Sequence, residues 1–387
     1  FLVPVIIFSS FGKNYNKPSA FYGLILLMEM ALIGVFTAQD GLLFYVFWEL
    51  TLIPAWFICA IWGGEERIRI TFKFFAYTFT GSLFMLVALV WLWFRTPLPH
   101  SFDIHHLQAA SLSPVEQAWV FAAFFLAFAI KIPVFPFHTW QPDTYTVSPP
   151  AGTMLLAGLM LKMGICGILH WMVPVVPDAV RQFGYLAIIL GLIGIVYASV
   201  IAIRQQDMKR LVAYCSIAHV GLIAAGALSL NRIAMNGAVI QMLSHGINIV
   251  GLFILIDLIE TRTGTRIIAS LGGLASKTPR LALFFMIFLL ASIALPLTNG
   301  FVGEFMLLTG LFQVHWAYAA VGGLSVILSA VYMLWMYQRV MLGSGEGSVV
   351  SEEVKDLGTK EMLLLLPLVI MIFWIGIYPE PFLNLIR

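Results

Sequence analysis

Charged residues are scarce in this sequence. Asp, Glu, Lys and Arg make up 10% of its 387 residues, and the formal net charge is only +2, whereas roughly 25% of the residues in a soluble domain are charged. No tract of basic residues occurs, so the sequence lacks the charge that a nucleic-acid partner requires. These absences exclude a soluble globular domain and a nucleic-acid-binding protein.

Cysteine is also rare. Cys59, Cys166 and Cys215 all lie in apolar segments without a CxxC spacing, which is typical of buried thiols and gives little support to zinc or iron–sulfur ligation. The run from Asp103 to His106 contains two histidines, but no further Cys or His ligand motif lies near it. We therefore predict no metal and no redox cofactor on this chain.

Hydrophobic residues, in contrast, make up 61% of the sequence. Apolar runs of about 20 residues recur along it, and this is the length that crosses a hydrocarbon core of roughly 30 Å as a helix. The sequence predicts an all-α, polytopic membrane protein with about eleven transmembrane helices. The predicted spans are 21–38, 41–62, 70–94, 117–137, 150–170, 183–203, 209–229, 234–258, 281–310, 317–341 and 362–378.

The cations of the connecting loops are distributed unevenly. One set of alternate loops holds fourteen and the other holds four, so the positive-inside rule places the first set on the cytoplasmic side, or on the equivalent negative side in an organelle. We expect a multi-pass protein of the cell inner membrane, with a mitochondrial or thylakoid membrane as the alternative. The fourteen are Lys13, Lys17, Arg67, Arg69, Arg204, Lys209, Arg210, Arg262, Arg266, Lys277, Arg280, Arg339, Lys355 and Lys360, and the four are Arg95, Arg181, Arg232 and Arg387.

Six ionisable residues lie in or beside the middle of predicted spans. Such groups are costly in a bilayer unless they are paired, hydrated or used. A single membrane histidine more often bonds a neighbouring helix, and Lys73 and Arg339, near helix ends, are expected to snorkel. Six groups at similar depth on six helices nevertheless favour a buried, hydrated row of proton-carrying sites. They are Glu49, Lys131, Lys162, His219, His245 and Glu304.

Two of the predicted spans are interrupted. Pro133 and Pro136 prevent the fourth span from continuing as a regular helix, and "LPLTNGFVGEF" interrupts the ninth just before Glu304. Because the interrupted spans are five apart, their order predicts two inverted five-helix repeats. The repeats are 21–170 and 183–341; the end of a preceding apolar segment and a loop form 1–20, and a loop and a last helix form 342–387.

Five stretches resemble a known family. They are "VFTAQDGLLFYVFWELTLIPAWFICAIWGG", "FAIKIPVFPFHTWQPDTYTVSPPAGTMLLAGLMLKMG", "SIAHVGLI", "QMLSHGINIVGLFIL" and "LPLTNGFVGEFMLLTG". These stretches resemble the antiporter-like membrane subunits of proton-pumping NADH:quinone oxidoreductase, respiratory complex I, and the resemblance extends over nearly the whole chain. It implies a fold of fourteen helices, of which the first three would precede this sequence.

The resemblance also implies a role for each ionisable residue. Glu49 would pair with Lys131 on the first broken helix, Lys162 would be the central lysine, and the two histidines would connect it to Glu304, the terminal acid. Sister subunits typically carry lysine in place of Glu304, so glutamate favours one subunit type. The implied protein is an enzyme subunit without redox chemistry of its own. NADH, FMN, iron–sulfur clusters and quinone would lie on other subunits, and its partners would be the lipid bilayer and other membrane subunits, chiefly antiporter-like neighbours.

Other functions stay open on the residues alone. A multisubunit sodium/proton antiporter and a membrane-bound hydrogenase complex use similar subunits, and a purely structural scaffold would need none of the six residues. We expect a proton-translocating subunit driven by quinone reduction elsewhere in the complex. In this hypothesis the Glu49–Lys131 pair holds a proton, and its separation releases the proton toward Lys162.

Overall fold

The computed structural model describes residues 1–343 and 354–385, which are helical apart from turns and loops. The predicted 342–387 segment, including Arg387, therefore lies partly outside the described residues. In chain order the helices are α1 (Leu2–Ser9), α2 (Pro18–Thr37), α3 (Gly41–Trp62), α4 (Arg67–Arg95), α5 (Ile104–Gln108), α6 (Pro114–Lys131), α7 (Trp140–Val147), α8 (Pro150–Val175), α9 (Pro177–Arg204), α10 (Met208–Ala227), α11 (Arg232–Thr263), α12 (Leu274–Lys277), α13 (Pro279–Ser292), α14 (Asn299–Val314), α15 (Trp316–Leu342), α16 (Thr359–Ile377) and α17 (Glu380–Asn384).

The number of membrane crossings agrees with the sequence prediction. Within the described ranges, ten helices are long and apolar enough to cross a membrane: α2, α3, α4, α6, α8, α9, α10, α11, α15 and α16. The remaining predicted span, 281–310, is divided between the shorter helices α13 and α14. The all-α, polytopic fold is thus confirmed. The fourth predicted span, 117–137, ends early at Lys131 because the two prolines follow directly.

Polar residues at the loop boundaries start several of these helices. The Ser113 hydroxyl and the Glu116 carboxylate form a reciprocal capping box at the start of α6, with Pro114 in the first turn. Asp207 accepts hydrogen bonds from the first amides of α10, and Asn231 does the same for α11. These caps satisfy amides that would otherwise stay unpaired where the chain enters the membrane.

The interior of the protein is built around α8, α10 and α11, which are buried over most of their length. In contrast, only a minority of the residues of α15 and α16 are buried. The three central helices carry Lys162, His219 and His245, so the fold brings these side chains to the centre of the molecule. Because the outward faces of the peripheral helices are apolar, they suit contact with lipid.

The first break separates α6 from α7. Lys131 is the last residue of α6, and the carbonyl of Ile130, freed by the break, accepts a hydrogen bond from the indole Nε1 of Trp140 at 2.9 Å. Trp140 is the first residue of α7, the half-helix that follows the break. The tryptophan therefore satisfies one of the backbone groups that the prolines leave without a helical partner.

The second break separates α13 from α14. A Cβ atom on Gly300 would lie 2.1 Å from the Ala291 carbonyl oxygen, so only glycine fits at the start of α14. The Ser244 hydroxyl donates to the Asn299 carbonyl at 3.0 Å, and the Asn299 amide donates to the Ser244 carbonyl at 3.4 Å, which ties the break to α11. Both predicted breaks are present, while the division into two inverted repeats stays a prediction.

Candidate functional site

The six ionisable residues lie on six different helices: α3, α6, α8, α10, α11 and α14. Glu49 is half-buried on α3, and the other five are almost fully buried. Their exposed fractions are 1% for Lys131, 8% for Lys162, 4% for His219, 4% for His245 and 2% for Glu304. Buried ionisable groups at membrane depth mark functional sites unless they are paired for structural reasons, so their contacts decide what they can do.

Glu49 and Lys131 form one group at the first break. The Lys131 ammonium lies 3.5 Å from the Thr51 hydroxyl and 5.2 Å from the centre of the Trp48 ring, an arrangement suited to a cation–π interaction. Glu49 lies within electrostatic range of Lys131 and beside Ser82, but makes no direct ion pair with the lysine. Its Oε1 atom is buried without a hydrogen-bond partner. The pair is therefore separated in this structure.

Lys162 contacts the backbone and a histidine. Its Nζ atom donates to the Ala157 carbonyl at 2.6 Å and lies 2.8 Å from Nδ1 of His245, within hydrogen-bond distance. Ala157 belongs to a π-helical segment, Leu156–Met160, and a second one, Gly167–Met172, follows Lys162. Such segments disturb the regular hydrogen bonding of a helix and occur frequently at functional sites. Here one of them supplies the carbonyl that holds the lysine.

The two histidines continue the series to Glu304. The rings of His245 and His219 lie 5.9 Å apart between centroids, at nearly a right angle. Nε2 of His219 lies 3.7 Å from the Glu304 carboxylate, and Nδ1 lies 3.7 Å from the sulfur of Cys215. The same carboxylate oxygen of Glu304 accepts a hydrogen bond from the Gln241 amide at 3.2 Å. Lys162, His245, His219 and Glu304 thus form one contact series.

A small cavity lies between the two histidines. Its volume is about 10 Å³, which is room for about one water molecule. Nε2 of His245, Oδ1 of Asn248 and Oε1 of Gln241 are buried without partners in the protein. A water molecule in this polar cavity would satisfy these groups and connect the histidines. The cavity is lined by Cys215, His219, Gln241, His245, Asn248, Ile249 and Ser292.

The structure does not join all six residues. Among the described residues, no hydrogen bond or ion pair connects the Glu49–Lys131 group with the series from Lys162 to Glu304. Helices α6 and α8 nevertheless pack closely, since a Cβ atom on Gly164 would lie 2.4 Å from Ile132. The two groups are therefore carried by neighbouring, closely packed helices.

Sequence reasoning missed three members of the site. Gln241 lies four residues before His245, so the spacing in "QMLSH" places both on one face of α11. This spacing could have identified Gln241 as a member of the site from the sequence. Cys215 has the same relation to His219 on α10. Thr51 lies beside Lys131 only because of the packing of α3 on α6, and nothing in the local sequence predicts that contact.

Asp143, on α7, is held by cations from two other helices. Its carboxylate lies 3.0 Å from the Lys73 ammonium of α4 and 3.1 Å from the Arg210 guanidinium of α10. Lys73 also donates to the Thr139 carbonyl at 2.8 Å. The Lys73 side chain, which is expected to snorkel, stays partly exposed, and the half-helix after the break provides a carboxylate and a free carbonyl within its reach.

The C-terminal end of α7 has a further contact with α10. The Lys209 ammonium is buried and donates to the Ser148 carbonyl at 2.6 Å. Lys209 and Arg210 are neighbours in the first turn of α10. Both ends of this short half-helix are therefore attached, and its position depends on α10.

Replacing Asp143 by asparagine is expected to loosen α7. Each of these partly exposed ion pairs contributes roughly 0.2–1 kcal/mol, so Asp143→Asn should destabilise the protein by about 1 kcal/mol and lower the Tm of the purified assembly. Asp178→Asn is the matched control, because the Asp178–Arg181 pair is mostly exposed and its loss should leave the Tm unchanged. Equal Tm values for both variants would show that Asp143 does not position α7.

The histidines of the 103–106 run have a structural role. The Asp103 carboxylate accepts from the His105 amide at 2.9 Å and caps α5, a bond that lowers the pKa of Asp103. His106 lies 3.6 Å from the same carboxylate and is exposed. In the part of the chain that the structure describes, no group of three or more His, Cys, Asp or Glu side chains is arranged to hold a metal ion.

Membrane helices that break beside buried ionisable side chains are typical of ion-translocating membrane proteins. The chain belongs to the family described as NADH:quinone oxidoreductase/Mrp antiporter, TM, whose family model matches residues 38–330. The resemblance stated from the sequence motifs is thereby confirmed.

Individual relatives agree with this family. NADH-quinone oxidoreductase subunit M of Rickettsia typhi is 42% identical over 374 residues, covering 96% of this chain and 74% of the relative. NADH-ubiquinone oxidoreductase chain 4 of Marchantia polymorpha is 37% identical over 385 residues, with coverages of 99% and 77%. The solved structure "Respiratory complex I from Thermus thermophilus with bound NADH" contains a chain with a TM-score of 0.89, 35% identity and coverages of 94% and 76%. Glu304 favours one subunit type among the antiporter-like subunits. The bacterial relative is a subunit M, so the relatives place this chain with subunit M.

Proposed function

We propose that this chain translocates protons as the M-type membrane subunit of an NADH:quinone oxidoreductase, and that Lys162, His245, His219 and Glu304 carry the protons. The observation that supports this most strongly is the contact series from the Lys162 ammonium to the Glu304 carboxylate. Proton transfer needs donors and acceptors within hydrogen-bond reach, directly or through one water molecule. The step from Lys162 to His245 meets that condition at 2.8 Å; the step between the histidines uses the water of the small cavity, and the step to Glu304 requires His219 to close a gap of 3.7 Å.

The first transfer runs from lysine to histidine. When Lys162 is protonated its ammonium can only donate, so Nδ1 of His245, at 2.8 Å, is the acceptor and the neutral ring carries its proton on Nε2. When Nδ1 takes the lysine proton, Nε2 can release its own proton into the small cavity. Lys162 and His245 lie 2.8 Å apart and repel each other when both are charged. Only one of the two side chains is therefore positively charged at a time.

The second transfer runs from histidine to glutamate. A proton in the cavity reaches His219, whose ring nitrogens face Cys215 on one side and Glu304 on the other. Uptake at Nδ1 and release from Nε2 delivers a proton to the Glu304 carboxylate. Gln241 donates to the same carboxylate oxygen and fixes its orientation. Glu304 therefore ends the series with a protonated carboxyl group.

The Glu49–Lys131 group controls this series in the proposal. Movement of a proton or a charge in a neighbouring membrane subunit changes the distance between Glu49 and Lys131, and the altered field at Lys162 favours proton release or uptake. The energy comes from quinone reduction in other subunits, which also hold NADH, FMN and the iron–sulfur clusters. The neighbours would be chiefly antiporter-like subunits, and the membrane would be the cell inner membrane.

Glu49→Gln is expected to reduce NADH-driven proton transport while the complex still assembles, because it removes the charge that acts on Lys131. Proton uptake by membrane vesicles, measured per NADH oxidised, checks this. The matched control is Glu29→Gln, since Glu29 is also a half-buried carboxylate within a span, on the adjacent α2. Normal proton transport in Glu49→Gln would show that the pair is structural.

The identity of the assembly tests the proposed function as a whole. Affinity purification of this chain from its native membrane should yield the NADH-oxidising and quinone-reducing subunits. Proton transport by these vesicles should require NADH and proceed in sodium-free medium. Purification without redox subunits, together with sodium-dependent proton exchange, would replace the proposal by a multisubunit sodium/proton antiporter.

A further inference from the structure

Four helices, α9, α10, α14 and α15, enclose the outer side of Glu304. We propose that Ser325 of α15 binds the water molecule that receives the proton of Glu304, and that Leu192, Leu222 and Leu308 form an apolar gate between this water and the outer surface. The proposal rests on the proton-carrying role of Glu304 given above. None of these four residues belongs to the contact series itself.

The direction of each helix fixes the order of these residues across the membrane. Helix α10 begins at the cytoplasmic side, so Leu222 lies about 4.5 Å further outward than His219. Helix α14 begins at the break and runs outward to Gln313, which bonds Asn231 in an outer loop at 3.0 Å. Leu308 therefore lies about 6 Å outward of Glu304. Both leucines therefore lie about one helical turn outward of His219 and Glu304.

The leucines meet at Gly322 of α15. A Cβ atom on this buried glycine would lie 3.1 Å from Leu222, 3.2 Å from Leu308 and 3.8 Å from Leu192. Three leucines from three helices thus converge on the backbone of a fourth. Glycine allows this close approach, and the result is a layer of apolar groups above Glu304. A proton cannot cross such a layer without water.

Ser325 lies just inside this layer. Helix α15 runs inward, so Ser325 is about 4.5 Å deeper than Gly322, close to the level of His219 and Glu304. Its hydroxyl is buried and has no hydrogen-bond partner in the described protein. A buried hydroxyl in this position needs a water molecule as its partner.

Glu304 is near the same face of α15. The Tyr332 hydroxyl, two turns inward of Ser325 on this face, is within electrostatic range of Glu304 and is also buried without a partner. The Oε2 atom of Glu304 is likewise unpaired, since Gln241 bonds the other oxygen. Unpaired polar atoms therefore occur both on Glu304 and on the face of α15 that carries Ser325.

The alternative outward route, between α10, α11 and α14, is closed by close helix packing. A Cβ atom would lie 2.9 Å from the Leu307 backbone nitrogen at Gly237, 2.4 Å from the Ala234 backbone nitrogen at Gly310 and 2.1 Å from the Leu307 side chain at Gly226. These contacts leave no room for water. The route past Ser325 is closed only by leucine side chains, which can change rotamer.

Proton release from Glu304 proceeds in three steps. The protonated Glu304 carboxyl group gives its proton to the water at Ser325, which leaves a carboxylate and a hydronium ion. The hydronium proton leaves when water enters the leucine layer, and His219 returns a proton to the carboxylate. While the layer is dry, protons cannot flow back from the outer side.

The first test compares two buried serines of α15 in vesicles that contain the whole complex. Ser325→Ala should lower NADH-driven proton transport roughly threefold or more, because it removes the polar group that holds the water. Ser329→Ala is the control: the Ser329 hydroxyl already bonds the Val326 carbonyl at 3.0 Å, so transport should stay normal. Equal transport in the two variants would overturn the role of Ser325. Ser325→Cys keeps the side-chain size, replaces Ser325→Ala if that variant does not assemble, and carries the same expectation.

The second test measures passive proton leak without NADH, after a step in external pH. Leu222→Ala opens the gate and should accelerate pH equilibration several-fold. Leu307→Ala removes the same atoms from a buried leucine in the closed route, and because the backbone contacts at Gly237 and Gly310 remain, it should leave the rate unchanged. Equal rates in the two variants would overturn the gate.

The outcome for Glu304→Gln in the same vesicles separates the two proposals. If this variant pumps normally, the proposed function is wrong, and the gate proposal, which depends on it, is wrong as well. If it stops pumping while Ser325→Ala and Ser329→Ala behave alike, the proposed function stands and the gate inference alone is wrong.

Discussion

Glu304→Gln should lower NADH-driven proton transport to below roughly a tenth of the normal value, because a positioned acid–base group contributes at least that much to proton transfer. Glutamine keeps the size of the side chain and its hydrogen bond with Gln241, but it cannot take up or release a proton. Glu304→Asp keeps the proton and moves it by about one carbon–carbon bond, so we expect partial transport. Proton uptake per NADH oxidised, measured in closed vesicles, gives both values.

The control for this experiment is Glu380→Gln. Glu380 is an exposed carboxylate of α17, so its loss changes the net charge equally without touching the series. The amount of assembled complex should be the same in all three variants. If Glu304→Gln pumps like the unmodified complex, Glu304 serves only as a hydrogen-bond partner of Gln241.

Lys162→Met should have an equally large effect. The ammonium bonds a carbonyl oxygen and an imidazole nitrogen and makes no ion pair with a carboxylate. Lysine at this position is therefore not held by a fixed counter-charge, which suits a group that gives up its proton. Methionine has a similar length and packs in apolar surroundings, so the fold should tolerate it while proton transport falls below roughly a tenth.

A second substitution at Lys162 distinguishes proton transfer from charge. Lys162→Arg keeps the positive charge, but a guanidinium does not release its proton in proteins. If Lys162 carries protons, Lys162→Met and Lys162→Arg both lose proton transport. If Lys162 only supplies a positive charge, Lys162→Arg keeps proton transport. Lys360→Met, at the exposed start of α16, controls for the loss of one cation and should transport normally.

Features set by the local chain were predictable from the sequence. The membrane crossings follow from runs of apolar residues, and the break after Lys131 follows from Pro133 and Pro136, because proline removes a backbone donor wherever it stands. Buried ionisable residues are equally visible, since few other residues in the spans carry charge. These predictions need no knowledge of which helices are neighbours.

Other features depend on distant residues and were not predictable in this way. The Trp140 indole satisfies the Ile130 carbonyl across the break, and Asp143 draws Lys73 into an ion pair from another helix. Glu304 lies more than a turn beyond Asn299, outside the reach of the amides at the start of its half-helix, and its partner is Gln241 of α11. Each outcome requires the relative position of two helices, which one sequence does not contain.

The attachment of α7 has a mechanical consequence. The half-helix that continues the broken span of Lys131 is fastened to the first turn of α10 through Arg210 and Lys209, and α10 carries His219 some three turns further on. A shift of α7 must therefore either break these bonds or move α10 with it. The short helix therefore couples α6 to α10, so the Glu49–Lys131 group and the series from Lys162 to Glu304, which share no hydrogen bond, are still joined through the backbone of α10.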